Sequence, residues 1–159
     1  MNMAWWWRLR ARLGYALARR LFHWQWLMRQ PRVWRWMEGQ FTRMANLGHT
    51  PAQSFYGHVL LFRGRGLGAR EEGLRLLRLA AQNGDSKAAY QLGVAALAGS
   101  PQQEPDGKEA ARWWMLAAQA GHPLAARKLA DLYREGGYGL VADADLAERY
   151  QRRAEELGL

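Results

Sequence analysis

Ala110-Ala111-Arg112-Trp113-Trp114-Met115-Leu116-Ala117-Ala118-Gln119-Ala120-Gly121-His122 decides the fold. A large apolar residue stands four positions before an Ala-Ala pair, and a glycine closes the stretch. Arg75-Leu76-Leu77-Arg78-Leu79-Ala80-Ala81-Gln82-Asn83-Gly84 carries the same pattern earlier, and Tyr150-Gln151-Arg152-Arg153-Ala154-Glu155-Glu156-Leu157-Gly158 carries it, degraded, at the end. The closing glycines Gly48, Gly84, Gly121 and Gly158 are spaced by 36, 37 and 37 residues. A fixed period of this size belongs to stacked helical pairs, in which no single pair buries its apolar face alone.

Working outward, each unit reads as a first helix A and a second helix B. The spacing predicts A and B at 51–62 and 70–82, at 87–97 and 108–120, and at 124–134 and 144–157. Glycine-rich turns separate A from B: Gly64-Arg65-Gly66-Leu67-Gly68, Gly99-Ser100-Pro101 and Gly136-Gly137-Tyr138-Gly139. Gly57, Gly93 and Ala130 each lie nine positions after a closing glycine, where a small residue lets helix backbones approach. Leu76, Trp113 and Tyr150 each lie eight before one and are expected to fill the space between pairs. This register makes Trp113 the core tryptophan and leaves Trp114 open between core and surface.

These positions resemble the Sel1-like repeat family, a relative of the tetratricopeptide repeats. The second unit carries the pattern best, in Ala88, Leu92-Gly93, Gly99, Asp106, Lys108, Ala110, Trp113, Ala117-Ala118 and Gly121. The resemblance covers residues 50–159 as units 50–85, 86–122 and 123–159. It implies an all-α, right-handed superhelical scaffold that binds other proteins, usually on a concave face lined by A helices. Some bacterial members of the family act in envelope assembly, exopolysaccharide secretion or signalling. The cysteine-rich, disulfide-stapled branch does not fit, because this chain has no cysteine.

The resemblance leaves the first third unexplained, and that third carries the charge. Of a net +9, residues 1–49 hold nine arginines against one acid, Glu38, whereas residues 50–159 are nearly neutral. Seven of the nine tryptophans also lie there: Trp5, Trp6, Trp7, Trp24, Trp26, Trp34 and Trp36. Residues 4–29 contain no proline and read as one helix that Gln30-Pro31 ends. Trp6, Leu9, Leu13, Leu17, Leu21, Trp24 and Met28 fall on one face, with Arg8, Arg12, Arg19 and Arg29 mainly off it. Arg19-Arg20 sits mid-stretch, so a bilayer span is not expected, and no clean apolar core marks a secretory signal.

A basic, tryptophan-rich amphipathic helix over 1–32 suits a membrane interface, where indoles sit at headgroup depth and arginines meet lipid phosphates. Trp5, Trp6, Trp7, Arg8, Arg12, Arg19, Arg20, Trp24 and Trp26 are the candidate interface residues. Two other readings stay open: packing of this face on the repeats or a partner helix, and nucleic-acid binding by interleaved arginine and aromatic rings. Residues 33–49 read as a degenerate half-repeat whose single helix caps the stack, since Met44-Ala45-Asn46-Leu47-Gly48-His49 aligns with Ala117-Ala118-Gln119-Ala120-Gly121-His122.

No chemistry emerges. His49 and His122 follow closing glycines at equivalent places, which points to a structural task, and His23 and His58 have no partner at ligand spacing. No catalytic residue, metal ligand, cofactor or small-molecule substrate is expected, and a hydrolase would need a nucleophile and base that cannot be named. Glu71, Glu72, Asp143 and Asp145 fit helix N-termini, where negative charge complements the helix dipole. The expectation is a non-catalytic adaptor in the cytoplasm, peripheral at the inner face of the membrane, with a protein partner. Phe55, His58, Phe62, Tyr90, Arg127, Asp131 and Arg134, on A helices, are the candidate partner contacts. Arginine outnumbers lysine 20 to 3, the balance of a GC-rich bacterial coding sequence.

Overall fold

The computed structural model describes residues 3–24, 26, 29–64, 66 and 68–159, with side chains from Trp6 onward. Eight α-helices are described: α1 (Met3–Leu21), α2 (Pro31–Asn46), α3 (Thr50–Arg63), α4 (Ala69–Gln82), α5 (Ser86–Ala98), α6 (Gly107–Gln119), α7 (Pro123–Glu135) and α8 (Ala144–Glu156). Extended structure among the described residues is limited to two isolated bridges, Ser100 with Gln103 and Gly137 with Leu140, inside A–B turns. Each helix packs on the next in sequence, so the architecture is an all-α solenoid of four helical pairs.

The period of the closing glycines has a backbone cause. Gly48, Gly84, Gly121 and Gly158 all have φ between +77° and +97°, a conformation that glycine adopts without steric cost. Each lets the chain leave a B helix so that the next N–H bonds back five residues. Asp85 reaches the Ala80 carbonyl (3.0 Å) and His122 the Ala117 carbonyl (2.9 Å), with Leu159 and Ala154 closing the last helix in the same way (3.0 Å). The same residue then starts the following helix. The His49 imidazole accepts from the Ala52 N–H (3.1 Å), the Asp85 carboxylate from Ala88 (2.8 Å) and the His122 imidazole from Ala125 (3.3 Å). One residue therefore closes one repeat and caps the next. B helices α6 and α8 are capped by Asp106 and Asp143.

Within pairs, small residues admit large ones. A Cβ at Gly57 would meet the Leu77 side chain, and one at Gly93 would meet the Trp114 indole. Trp114 is 2% exposed and donates its Nε1–H to the Tyr90 carbonyl at 3.1 Å. The core tryptophan is therefore Trp114. Trp113 is half-buried and donates to the Glu109 carboxylate at 3.2 Å. The glycine count misassigns this because Leu76 and Leu77 are both buried but face different clusters, Leu76 toward α2 and α3 and Leu77 toward α5 and α6.

The head departs from expectation in two ways. Helix α1 stops at Leu21 instead of running on to Arg29, while Met28 lies outside the described residues. Helix α2 starts at Pro31 and packs back on α1, so the chain reverses direction between Leu21 and Pro31. Pro31 starts α2 at a position where proline is favoured, the first helical turn. In addition, α1 and α2 form a pair of their own, so the head is a two-helix unit and not a free helix followed by a half-repeat. An aromatic cluster joins this pair to the repeats: Phe22 meets Phe55 (ring centroids 5.1 Å) and Phe41 (6.2 Å), and Phe41 meets Tyr15 (6.1 Å), Phe55 (5.2 Å) and Tyr56 (5.7 Å).

Candidate interaction surfaces

Helix α1 buries Ala11, Tyr15 and Ala18 against its neighbours, with Phe22 just beyond its end. Trp6, Leu9, Leu13 and Leu17 of the predicted apolar stripe lie on the opposite side, whereas Leu21 packs on the buried cluster. Leu13 is 64% exposed, Leu17 51% and Trp6 54%, with Leu9 half-buried beside them. Arg8, Arg10, Arg12, Arg19 and Arg20 are all exposed on this helix, which carries no acid. The Arg10 guanidinium lies 5.6 Å from the Trp7 ring. Trp24 and Trp26 are also exposed, with ring centroids 6.3 Å apart, whereas the Trp5 side chain is outside the described residues. The amphipathic pattern was thus visible in the sequence, but α1 is apolar on two faces, and alanine plus tyrosine make the packed one.

Register explains why the other face is open. Tyr15 contacts His49 (5.5 Å) as Tyr90 contacts His122 (4.5 Å, rings nearly parallel). Aligning the two tyrosines sets Ala18 on Gly93, and Leu13 and Leu17 on Ala88 and Leu92. In α5 those last two residues are 0% and 2% exposed, and Leu92, Ala95 and Ala96 share a cleft with Leu74 and Arg78 of the preceding B helix. Leu13 and Leu17 therefore occupy the surface on which an A helix receives the helix before it. No helix among the described residues is long and apolar enough to cross a membrane.

The candidate partner residues separate into two groups. Tyr90 and Arg127 hold one register place on successive A helices, and His58 and Asp131 another, four residues on. Arg127 is exposed, and Asp131 is engaged by Arg134 at 2.8 Å. His58 places Nδ1 2.7 Å from the Ser54 carbonyl and stacks near Phe62, which is 66% exposed. Phe55, by contrast, belongs to the aromatic cluster, with the Arg19 guanidinium 5.6 Å above its ring. Phe55 is half-buried, with part of its ring packed on the core cluster and only the rest open to a partner. Tyr90 is half-buried by its stack on His122, so only its edge is available.

An open groove of about 770 Å³ separates the start of α2 from the end of α3. Trp34 and Phe62 supply apolar surface, and Arg29, Arg35 and Arg63 supply charge; Pro31 and Gly64 complete the described lining. This feature was not anticipated from the sequence. Its residues come from segments thirty positions apart, and no periodicity links them.

The histidines serve as caps and packing groups. Both capping rings are held below the ordinary histidine pKa, His49 by burial and then by Arg12 and Arg19, His122 by burial and then by Lys87. A neutral ring is what a cap requires, because the nitrogen facing the helix must keep its lone pair. Among the described residues no group of three metal-ligating side chains converges.

No curated protein matches the sequence. Among solved structures, a Sel1 repeat protein from Oxalobacter formigenes superposes with a TM-score of 0.66 at 26% identity, covering 76% of this chain and 34% of that one. The c5321 protective antigen of uropathogenic Escherichia coli strains, which displays an SLR fold, gives 0.65 at 22% identity, covering 77% and 26%. The chain thus spans about a third and a quarter of the length of these two. The family model described as Sel1 repeat matches residues 50–85, 86–122 and 123–159, well over half of the sequence. The chain belongs to the Sel1 repeat family.

Proposed function

We propose that this chain is a non-catalytic protein-interaction scaffold held at an anionic membrane surface by the outward face of α1. One observation carries the membrane half: the exposed Trp6, Leu13, Leu17 stripe, with half-buried Leu9 beside it and arginines flanking it, on the face opposite the packed one. Apolar surface left in water costs about 25 cal/mol per Å², and each arginine near an anionic leaflet adds about 1 kcal/mol of attraction. A helix lying flat in the interface satisfies both at once. Because the cytoplasmic leaflet is the anionic one, the scaffold would work at the inner face. The partner face is the A-helix row that includes His58, Phe62, Arg127, Asp131 and Arg134, displayed toward the cytoplasm while the head holds the membrane.

The same face also supports a second reading. Its register equivalence to Ala88 and Leu92 is that of a seat for another protein's helix. Sedimentation with anionic and neutral vesicles separates the two, with Leu13→Glu/Leu17→Glu as the variant. Both side chains are exposed, so the fold should survive. The membrane reading expects the wild type to pellet with anionic vesicles and the variant to lose at least about tenfold in affinity, or 1.4 kcal/mol. A wild type that stays in the supernatant would leave the helix-seat reading. Binding to single-stranded DNA that falls steeply with salt would instead favour nucleic acid.

A further inference from the structure

The groove between α2 and α3 has properties that the scaffold and membrane readings do not use. Arg29, Arg35 and Arg63 converge on it, and no acidic side chain is among its described lining. The ion pairs among the described residues join other arginines, namely Arg75, Arg134, Arg152 and Arg153, so these three are not neutralised. Two of them are also positioned. Arg35 donates Nε–H to the Pro31 carbonyl at 3.4 Å, which leaves its terminal N–H groups available, and the Arg63 guanidinium rests over the Phe22 ring at 5.5 Å. Trp34 is half-buried and Phe62 is 66% exposed, so the groove offers aromatic surface next to fixed positive charge.

A guanidinium held in place presents two parallel N–H groups that match a carboxylate, and pre-positioning reduces the entropy lost on binding. The three cations line one opening, whereas a nucleic-acid track carries positive charge along a whole groove. We propose that this groove binds an acidic segment of a partner protein, its carboxylates on Arg35 and Arg63 and a large apolar side chain against Trp34 and Phe62. The proposal rests on the scaffold reading for the kind of partner and is independent of the membrane reading.

Fluorescence anisotropy of the full chain tests it with a fluorescein-labelled acidic peptide carrying one central phenylalanine. Comparison probes are its phenylalanine-to-alanine form, its glutamine/asparagine form and single-stranded oligothymidylate. Arg35→Gln/Arg63→Gln should weaken the acidic peptide at least about tenfold. The charge-matched Arg112→Gln/Arg149→Gln, on exposed positions of α6 and α8, should change it less than about twofold. Phe62→Ala, which removes an exposed ring and spares the core, should weaken the phenylalanine peptide and leave the alanine form unchanged. Equal losses in both arginine pairs would mean attraction to net charge alone and would overturn the proposal. So would no discrimination between the two peptides, or tighter binding of the oligothymidylate.

Discussion

At the scale of single residues, the fold depends on a few side chains performing two tasks. His49, Asp85 and His122 each close one repeat through the backbone and open the next through the side chain. Where the cap is histidine, a tyrosine of the A helix lies against it, Tyr15 or Tyr90; where it is aspartate, Ser54 holds the register of Tyr90. The histidine caps carry a pH dependence whose sign follows from their lowered pKa values. Unfolded chains take up the proton near pH 6.5 while the folded rings resist it, so the unfolded state binds more protons and stability falls as pH drops below that point. Thermal melts at neutral and mildly acidic pH should show this loss. His122→Asp should keep the cap and lose less between pH 7.5 and 5, and an unchanged pH slope would contradict the capping role.

Gly93 supplies a second prediction at this scale. Gly93→Ala drives a methyl group into the Trp114 indole, and overpacking of this kind costs roughly 1–3 kcal/mol. The third repeat tolerates Ala130 at that register because Gln151 stands where Trp114 does in the second. A denaturant melt of Gly93→Ala that matched the wild type would mean that the indole has room to move. The exposed pairs Glu72–Arg75 and Glu148–Arg152 should matter far less, because surface ion pairs contribute ~0–1 kcal/mol.

At the scale of elements, α1 is joined to the repeats by rings, and Phe22 lies at the junction, touching α2 through Phe41 and α3 through Phe55. Phe22→Ala removes both contacts and the surface beneath Arg63. Buried Phe→Ala changes cost 3–5 kcal/mol; Phe22 is half-buried, so a loss of about 2 kcal/mol, local to the head, is expected. Hydrogen exchange should show α1 amides exchanging faster while α5 to α8 keep their protection, since repeat units couple mainly to neighbours. Uniform acceleration along the chain would mean that the head and repeats unfold as one unit.

Elements also mark where the sequence is legible. The six helices of the repeats are predicted to within about two residues, because glycine turns bound each of them and apolar periodicity fills each interval. The extent of α1 is not, because nothing local marks Leu21 as an end; the reversal that packs α2 back on α1 is a tertiary feature. The packed face of α1 was hidden for a related reason. Ala11, Ala18 and one tyrosine give a weak apolar signal, whereas leucine and tryptophan on the other side give a strong one. Trp113 was preferred to Trp114 because counting from glycines fixes a register only to within one residue when both candidates are large and apolar. The groove of Arg35 and Arg63 follows from tertiary placement alone.

At the scale of the whole molecule, charge and hydrophobicity are segregated along the stack. The nearly neutral repeats include α8, whose exposed surface alternates Glu148, Arg149, Arg152 and Glu155. Helix α1 exposes leucine, tryptophan and arginine. The first described helix thus exposes apolar surface beside arginine and the last exposes mainly charge, the asymmetry that supports the proposed membrane attachment. Attraction through the arginines should weaken as salt screens them, while the apolar contribution persists.

Tryptophan quenching by brominated lipids tests the proposed attachment most directly. Anionic vesicles brominated near the headgroups should quench the full chain, and Trp6→Phe/Trp7→Phe should lose a large part of the quenching while still binding the vesicles. Quenching that is absent, or that the double substitution leaves unchanged, would mean that the outward face of α1 does not enter the lipid interface.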